Sequence, residues 1–368
     1  MAQKTSNLSK RNYLKQRLSE LPDFVFSYIE EDYSGESVST QLGYSIDIAT
    51  FLRFLKLYRF QNVNLLSDFD IEHLKKVTAE DFVHFKSYLK EYEITLTSAD
   101  GKERKRLVTN SAYGINRKLS AVRGLFCYLY RIDKLPQNVT DKVTTADLKQ
   151  KIKKPLTTQE TVRFLNILFD GKCEIPDGDT TKISQFEGRD LTEYKKRRQR
   201  DIAMYVTYLG TGVRVSELVN LNLSKLYFDN YSNTFIVTRK GGDEQEIFMP
   251  PQVCEELKNY VEQRKKIDAI DKDALFIGRN KKRLTIAAVE LNLKKYCNMA
   301  GIFDPDKTRP HALRRTFACK LLEDGIDIKM VAELMGHKNI EVTHKFYAKY
   351  SQKAKKEVMD AHKIVPEN

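Results

Sequence analysis

The sequence predicts a mainly α-helical chain: an N-terminal helical domain at residues 1–140, a linker at 141–156, and a mixed α domain at 157–368 carrying a small antiparallel sheet. Three observations predict this. Apolar residues recur at helical spacing through most of the chain. The stretch QNVTDKVTTADLKQKIKKP, following Pro136, is polar and closes on Pro155. One region, 227–250, reads instead as two β-rich runs around a glycine pair.

In order along the chain, LGYSIDIATFLRFLK (42–56) places Leu42, Ile46, Ala49, Leu52 and Phe54 at helical spacing. Thr78 and Asp81 form a capping-box pattern ahead of VHFKSYLKEY. In TNSAYGINRKLSAVRGLFCYLYRI, Tyr113, Ile115, Leu119, Val122, Phe126 and Leu129 fall on one side of a helix. The first domain therefore reads as all-helical. Beyond the linker, Thr157 and Glu160 repeat the capping-box spacing before another apolar helix. DGKCEIPDGDTTKISQFEGRD (170–190) has turn residues and weak periodicity, which predicts a loop or insertion. YKKRRQRDIAMYVTYLGTG follows as a helix. FIVTR and EIFMP, on either side of KGGDEQ, predict a hairpin around Gly241 and Gly242.

Apolar residues make up 41% and charged residues 31%, a soluble globular balance. The net charge of +13 favours an anionic partner, with nucleic acid leading. Two basic patches stand in the first domain: Lys102, Arg104, Lys105 and Arg106 in GKERKR, then Arg117, Lys118 and Arg123. Each is either a solvated face or a set of phosphate contacts. Five scattered cysteines without a CxxC pair fit a reducing compartment. No signal-peptide core or membrane span is expected, so the cytoplasm is the default location. No cofactor or small-molecule pocket is expected.

Four separated pieces carry chemistry. In TGVRVSEL (211–218), Thr211 and Gly212 break a helix and put Arg214 at the start of the next, one turn before Glu217. That pair alone reads as a helix salt bridge, whereas an arginine facing phosphate offers a permanently charged planar fork. Lys240 lies at the hairpin tip of VTRKGG. In RPHALRRTFACKLL, His311 and Arg314 are three apart and share a helix face. In LMGHKNIEVTHKFYAKY, Gly336 ends a helix before His337, and Thr343 opens the helix carrying Tyr347 and Tyr350. Breaking a phosphodiester requires a nucleophile, charge stabilisation and a proton for the leaving oxygen. Two arginines, a lysine, two histidines and a tyrosine meet those needs without a metal, and no carboxylate cluster suggests a two-metal site.

The boxes TGVRVSEL, VTRKGG, HALRR, LMGH and the C-terminal FY, in that order, resemble the tyrosine recombinase (phage integrase) family. VTRKGG and the insertion are similar to the single-recombinase Xer branch, which resolves chromosome dimers. The resemblance implies that Arg214 and Arg314 clamp the scissile phosphate and that Lys240 protonates the departing 5′-oxygen. His311 would assist proton movement, His337 would hydrogen-bond the phosphate, and Glu217 would orient the site. The nucleophile falls on Tyr347, ten residues after His337, rather than on Tyr350. Arg315 departs from the family, many of whose members have His there. The first domain would be the core-binding DNA domain. The implied partners are double-stranded DNA and a homotetramer across two duplexes, with room for an accessory protein and no membrane. The tail YSQKAKKEVMDAHKIV reads equally as a helix exchanged between neighbours or as one packed on its own chain. A mobile-element integrase, a type IB topoisomerase and a non-cleaving DNA-binding protein are the alternatives.

Overall fold

Ser37, Ser111 and Thr157 open three of the helices that build the fold. Each accepts a hydrogen bond from the amide three residues on: Thr40, Gly114 and Glu160. The structure is a computed structural model describing residues 2–97, 103–145, 154–229, 232–239 and 242–336. Contacts divide the chain into two units, Met1–Gln150 and Lys151–Asn368.

The first unit contains α1 (Ala2–Ser19), α2 (Asp23–Asp32), α3 (Val38–Tyr58), α4 (Ile71–Lys75), α5 (Ala79–Tyr88) and α6 (Ala112–Arg131). Its core forms where the apolar stripe of α6, with Leu119, Val122 and Phe126, meets Phe51 and Leu55 of α3 and Phe82 and Phe85 of α5. Phe51 lies 4.9 Å from Phe85 and 5.2 Å from Phe82 between ring centroids. Each such ring removed from water contributes about 1.5–3 kcal/mol. The all-helical expectation needs one local correction: a hairpin, β1 (Glu91–Thr97) and β2 (Glu103–Thr109), stands between α5 and α6. GKERKR runs into its second strand.

The second unit contains α7 (Thr158–Asp170), β3 (Lys172–Asp177), β4 (Thr180–Gln185), α8 (Gly188–Thr211), α9 (Val215–Val219), β5 (Leu226–Phe228), β6 (Asn233–Thr238), β7 (Glu244–Phe248), α10 (Pro251–Lys265), α11 (Ile286–Met299), α12 (Pro310–Glu323) and α13 (Ile328–Leu334). The capping box at α7 forms: Glu160 Oε2 accepts from the Thr157 amide at 2.8 Å, and Thr157 Oγ1 from the Glu160 amide at 3.2 Å. Most of residues 170–190, read as a loop or insertion, is regular structure rather than loop. It includes the hairpin β3–β4, whose alternating Cys173 and Ile175 are buried. The strands β5, β6 and β7 form an antiparallel sheet in that order, with Phe235 opposite Ile247. Tyr205 and Tyr208 of α8, Phe164 of α7, Phe235 of β6 and Leu293 of α11 share one core.

The start of this unit is fastened to its own later segments. The Leu156 amide donates to Thr316 Oγ1 on α12 at 3.0 Å. Lys307 Nζ, just upstream of α12, donates to both Glu160 carboxylate oxygens at 2.8 and 2.7 Å. No helix among the described residues is long and apolar enough to cross a membrane.

Candidate active site

Gly212 caps α8 in the left-handed region at φ 60°, a conformation only glycine adopts freely. The chain then turns through buried Val213 to Arg214, the residue preceding α9. Glu217, one turn later and 5% exposed, accepts from the Arg214 amide at 2.7 Å and from Arg214 Nη1 at 2.8 Å. The helix salt bridge thus exists, and it uses only one of the two terminal guanidinium nitrogens. Arg214 Nη2 donates to the Gly336 carbonyl at 3.2 Å.

Arg314 reaches the same place from α12. Its side chain is buried, with Nη1 donating to the Gly212 carbonyl and Nη2 to the Met335 carbonyl. Burial, with Arg214 and Arg239 close by, pushes its guanidinium down to about 10. Arg239 completes the group from the end of β6. Its Nη1 lies 3.4 Å from Glu217 Oε1 and donates to the Met335 carbonyl at 3.1 Å. Burial pushes its pKa down as well.

Three guanidinium groups from α12, the β-sheet and the α8–α9 junction therefore meet one turn, formed by Met335 and Gly336 after α13. Gly336 is also left-handed, at φ 60°, and a Cβ there would lie 2.2 Å from Arg239 Nη1. Glu217 is the carboxylate paired with both Arg214 and Arg239. Cation exceeds anion here, and an oxyanion with two acceptor oxygens is the complementary ligand. Among the described residues, no cluster of three or more His, Cys, Asp or Glu is arranged to hold a metal ion.

Arg239 is the residue that motif reading missed. The alternation of β6 contains the signal: Phe235 and Val237 are buried, and residue 239 continues that face. His311 is exposed at the start of α12, three residues before Arg314. Arg315, the next residue, donates to the Asp306 carbonyl at 2.8 Å. Lys240, His337, Tyr347 and Tyr350 lie outside the described residues.

The two basic patches of the first unit differ. Arg104, Lys105 and Arg106 are exposed on β2, and Lys102 lies outside the described residues. Arg117 instead pairs with buried Asp47 at 2.6 Å, and Lys118, 8% exposed, donates to Asn110 Oδ1 at 3.0 Å. Burial raises the Asp47 pKa despite both cations and lowers that of Lys118. Arg123 donates to the Val143 carbonyl.

The chain matches the family model of the phage integrase family over residues 183–354, the stretch that holds this convergence of arginines. It is 28% identical over 360 residues to tyrosine recombinase XerS of Streptococcus agalactiae, an alignment covering 91% of this chain and 95% of the relative. Tyrosine recombinase XerC of Caldanaerobacter subterraneus is 27% identical over 317 residues, covering 83% and 77%. Two solved structures share the fold: XerH recombinase bound to palindromic difH substrate in a post-cleavage complex, with TM-score 0.60 and 18% identity over 88% of this chain and 80% of that one, and Tn1549 transposon integrase with transposon right end DNA, with TM-score 0.60 and 22% identity over 91% and 98%.

Proposed function

We propose that this chain is a site-specific DNA recombinase that cuts and rejoins strands through a 3′-phosphotyrosyl link. One observation carries the reading: Arg214 and Arg314, from distant parts of the chain, both donate to the turn formed by Met335 and Gly336, which leads directly to His337. Two planar forks meeting at one point suit a phosphodiester whose non-bridging oxygens gain charge during attack.

In this mechanism the Tyr347 phenol oxygen bonds to phosphorus as the bond to the 5′-oxygen breaks. A phenol has a reference pKa near 10, so its proton leaves as attack begins, assisted by His311. Lys240 gives a proton to the departing 5′-oxygen, and His337 hydrogen-bonds the phosphate. A 5′-hydroxyl from the partner duplex then attacks the phosphotyrosine and restores the phenol. One ester replaces another at each step, so these residues complete the exchange without a metal or nucleotide. Arg104, Lys105 and Arg106 contact backbone phosphates from the core-binding domain, and a homotetramer spans two duplexes.

The specific role proposed is chromosome-dimer resolution in the cytoplasm, supported by the near end-to-end alignment with XerS. Mapping the selected target separates the roles: a single chromosomal imperfect palindrome fits resolution, and repeats bounding a mobile segment fit an integrase. The chemistry is tested with a nicked duplex, carrying the sequence selected by the full-length chain, that sheds a short fragment after cleavage. Wild type and Tyr350→Phe should form a covalent adduct mapping to Tyr347, and Tyr347→Phe should bind without forming one. An adduct at Tyr350, or undiminished adduct in Tyr347→Phe, rejects the assignment.

A further inference from the structure

Arg239 is 9% exposed at its side chain, and among the described residues only its Nη1 is engaged, with Glu217 and the Met335 carbonyl. Its Nε and Nη2 are sealed from solvent and have no hydrogen-bond partner among the described residues. Those two nitrogens form the guanidinium edge whose parallel N–H bonds match a pair of oxygens on carboxylate or phosphate. A fold seldom buries charged donors unmatched, and such groups mark a place where an acceptor arrives.

Three further features identify the acceptor. Arg239 shares Glu217 Oε1 with Arg214, so it sits within the same charge group as the proposed phosphate clamp. It shares the Met335 carbonyl with Arg314. It also begins the hairpin turn, its carbonyl accepting from the Gly242 amide at 3.1 Å, and directly precedes Lys240 in sequence.

We propose that Arg239 is a third phosphate-binding arginine, presenting its Nε–Nη2 edge to the non-bridging oxygens of the scissile phosphate; this rests on the recombinase reading above. The edge is closed in the present state because Gly336 lies against it: a Cβ there would stand 2.5 Å from Nη2. Phosphate entry moves this turn, and phosphate oxygens take over donors that the carbonyls of Met335 and Gly336 now hold. Unlike Lys240, Arg239 transfers no proton. It stabilises the charge that develops on the non-bridging oxygens.

The test uses the full-length chain and the nicked duplex described above, prepared with either a normal scissile phosphate or an uncharged methylphosphonate. On normal phosphate, Arg239→Gln should cleave about 10²–10³-fold more slowly than wild type. Arg239→Lys should also be impaired, because it keeps charge without the two-pronged edge. On methylphosphonate, where the anionic charge is absent, the ratio of wild-type to Arg239→Gln rates should shrink to about tenfold or less. A wild-type rate in either variant overturns the proposal. So does an Arg239→Gln defect of equal size on both substrates, which would assign Arg239 to bracing the turn. Duplex binding and thermal melting report folding, and if Arg239→Gln does not fold, the Arg239→Lys rate decides. Failure of wild type to form a Tyr347 adduct would refute the recombinase reading itself, a result distinct from normal cleavage by Arg239 variants.

Discussion

Two regions of the second unit bury arginine, and they do so in opposite ways. Arg264, on α10, is 2% exposed and uses every nitrogen. Its Nε donates to the Ala274 carbonyl at 2.9 Å, Nη1 to Ile267 at 3.3 Å, and Nη2 to Asp271 and Lys272 at 3.0 and 3.2 Å. That guanidinium ties one loop to one helix, with a carbonyl partner on each of its three nitrogens. Around Glu217, Arg214, Arg239 and Arg314 gather on two consecutive carbonyls, and Arg239 keeps a whole edge unmatched among the described residues. Burial by itself therefore does not distinguish a structural arginine from a functional one. The accounting of its N–H groups does.

The largest effect that would break this contrast is on cleavage. Arg214→Lys and Arg314→Lys should each slow single-turnover cleavage by about 10²–10³-fold while leaving the fold and much of the duplex binding intact. Near-normal cleavage in both would remove the functional half of the comparison. Next comes Arg264→Lys, which loses several bonds to a buried charge and should cost about 2–4 kcal/mol in denaturant unfolding, with the cleavage rate per folded molecule unchanged. A cleavage defect matching that of Arg314→Lys would show that the two regions are not separate in role.

The same distinction can be sharpened in the first unit. Replacing Arg104, Lys105 and Arg106 with Gln should lower the slope of log affinity against log salt by about one for each phosphate that is no longer neutralised. Lys118→Gln should change stability and leave that slope alone, because its ammonium is committed to Asn110 and Asp47. The reverse pattern would exchange their assignments. The smallest effect concerns thiols. Cys127 is exposed and should alkylate first in the native protein, whereas burial pushes Cys297 up to about 12 and should keep it unreactive until unfolding. Mass mapping of a time course that finds Cys297 modified early would contradict its burial.

Features fixed by a local device are legible in the sequence. The Thr157 and Glu160 box, the helix break at Gly212 and the hairpin after FIVTR each depend on residues a few positions apart, and each forms. The β1–β2 hairpin is harder to see because most of β2 is exposed on both faces, so no clean alternation of polar and apolar residues marks it. Asp47 is the reason Lys118 does not read as an inward residue: it lies on another helix, 71 positions earlier, and no helical period links the two. The order of the site motifs is legible for a similar local reason, since TGVRVSEL, VTRKGG and LMGH each carry their own glycine. Their convergence on Met335 and Gly336 is tertiary. Arg239 falls between these cases: its strand register is readable, but the partners that give it a role lie on other elements.

The bond between Leu156 and Thr316 has a mechanical meaning. The chain enters its second unit fastened to α12, the helix of His311 and Arg314, and the Glu160–Lys307 pair adds a second rivet beside it. A pull arriving along the chain is borne first at this fastening, before it reaches the body of the unit. An excised second unit should therefore begin at or before Lys154: one starting at Thr158 would leave Thr316 without its bond from Leu156 and would loosen the helix that carries Arg314.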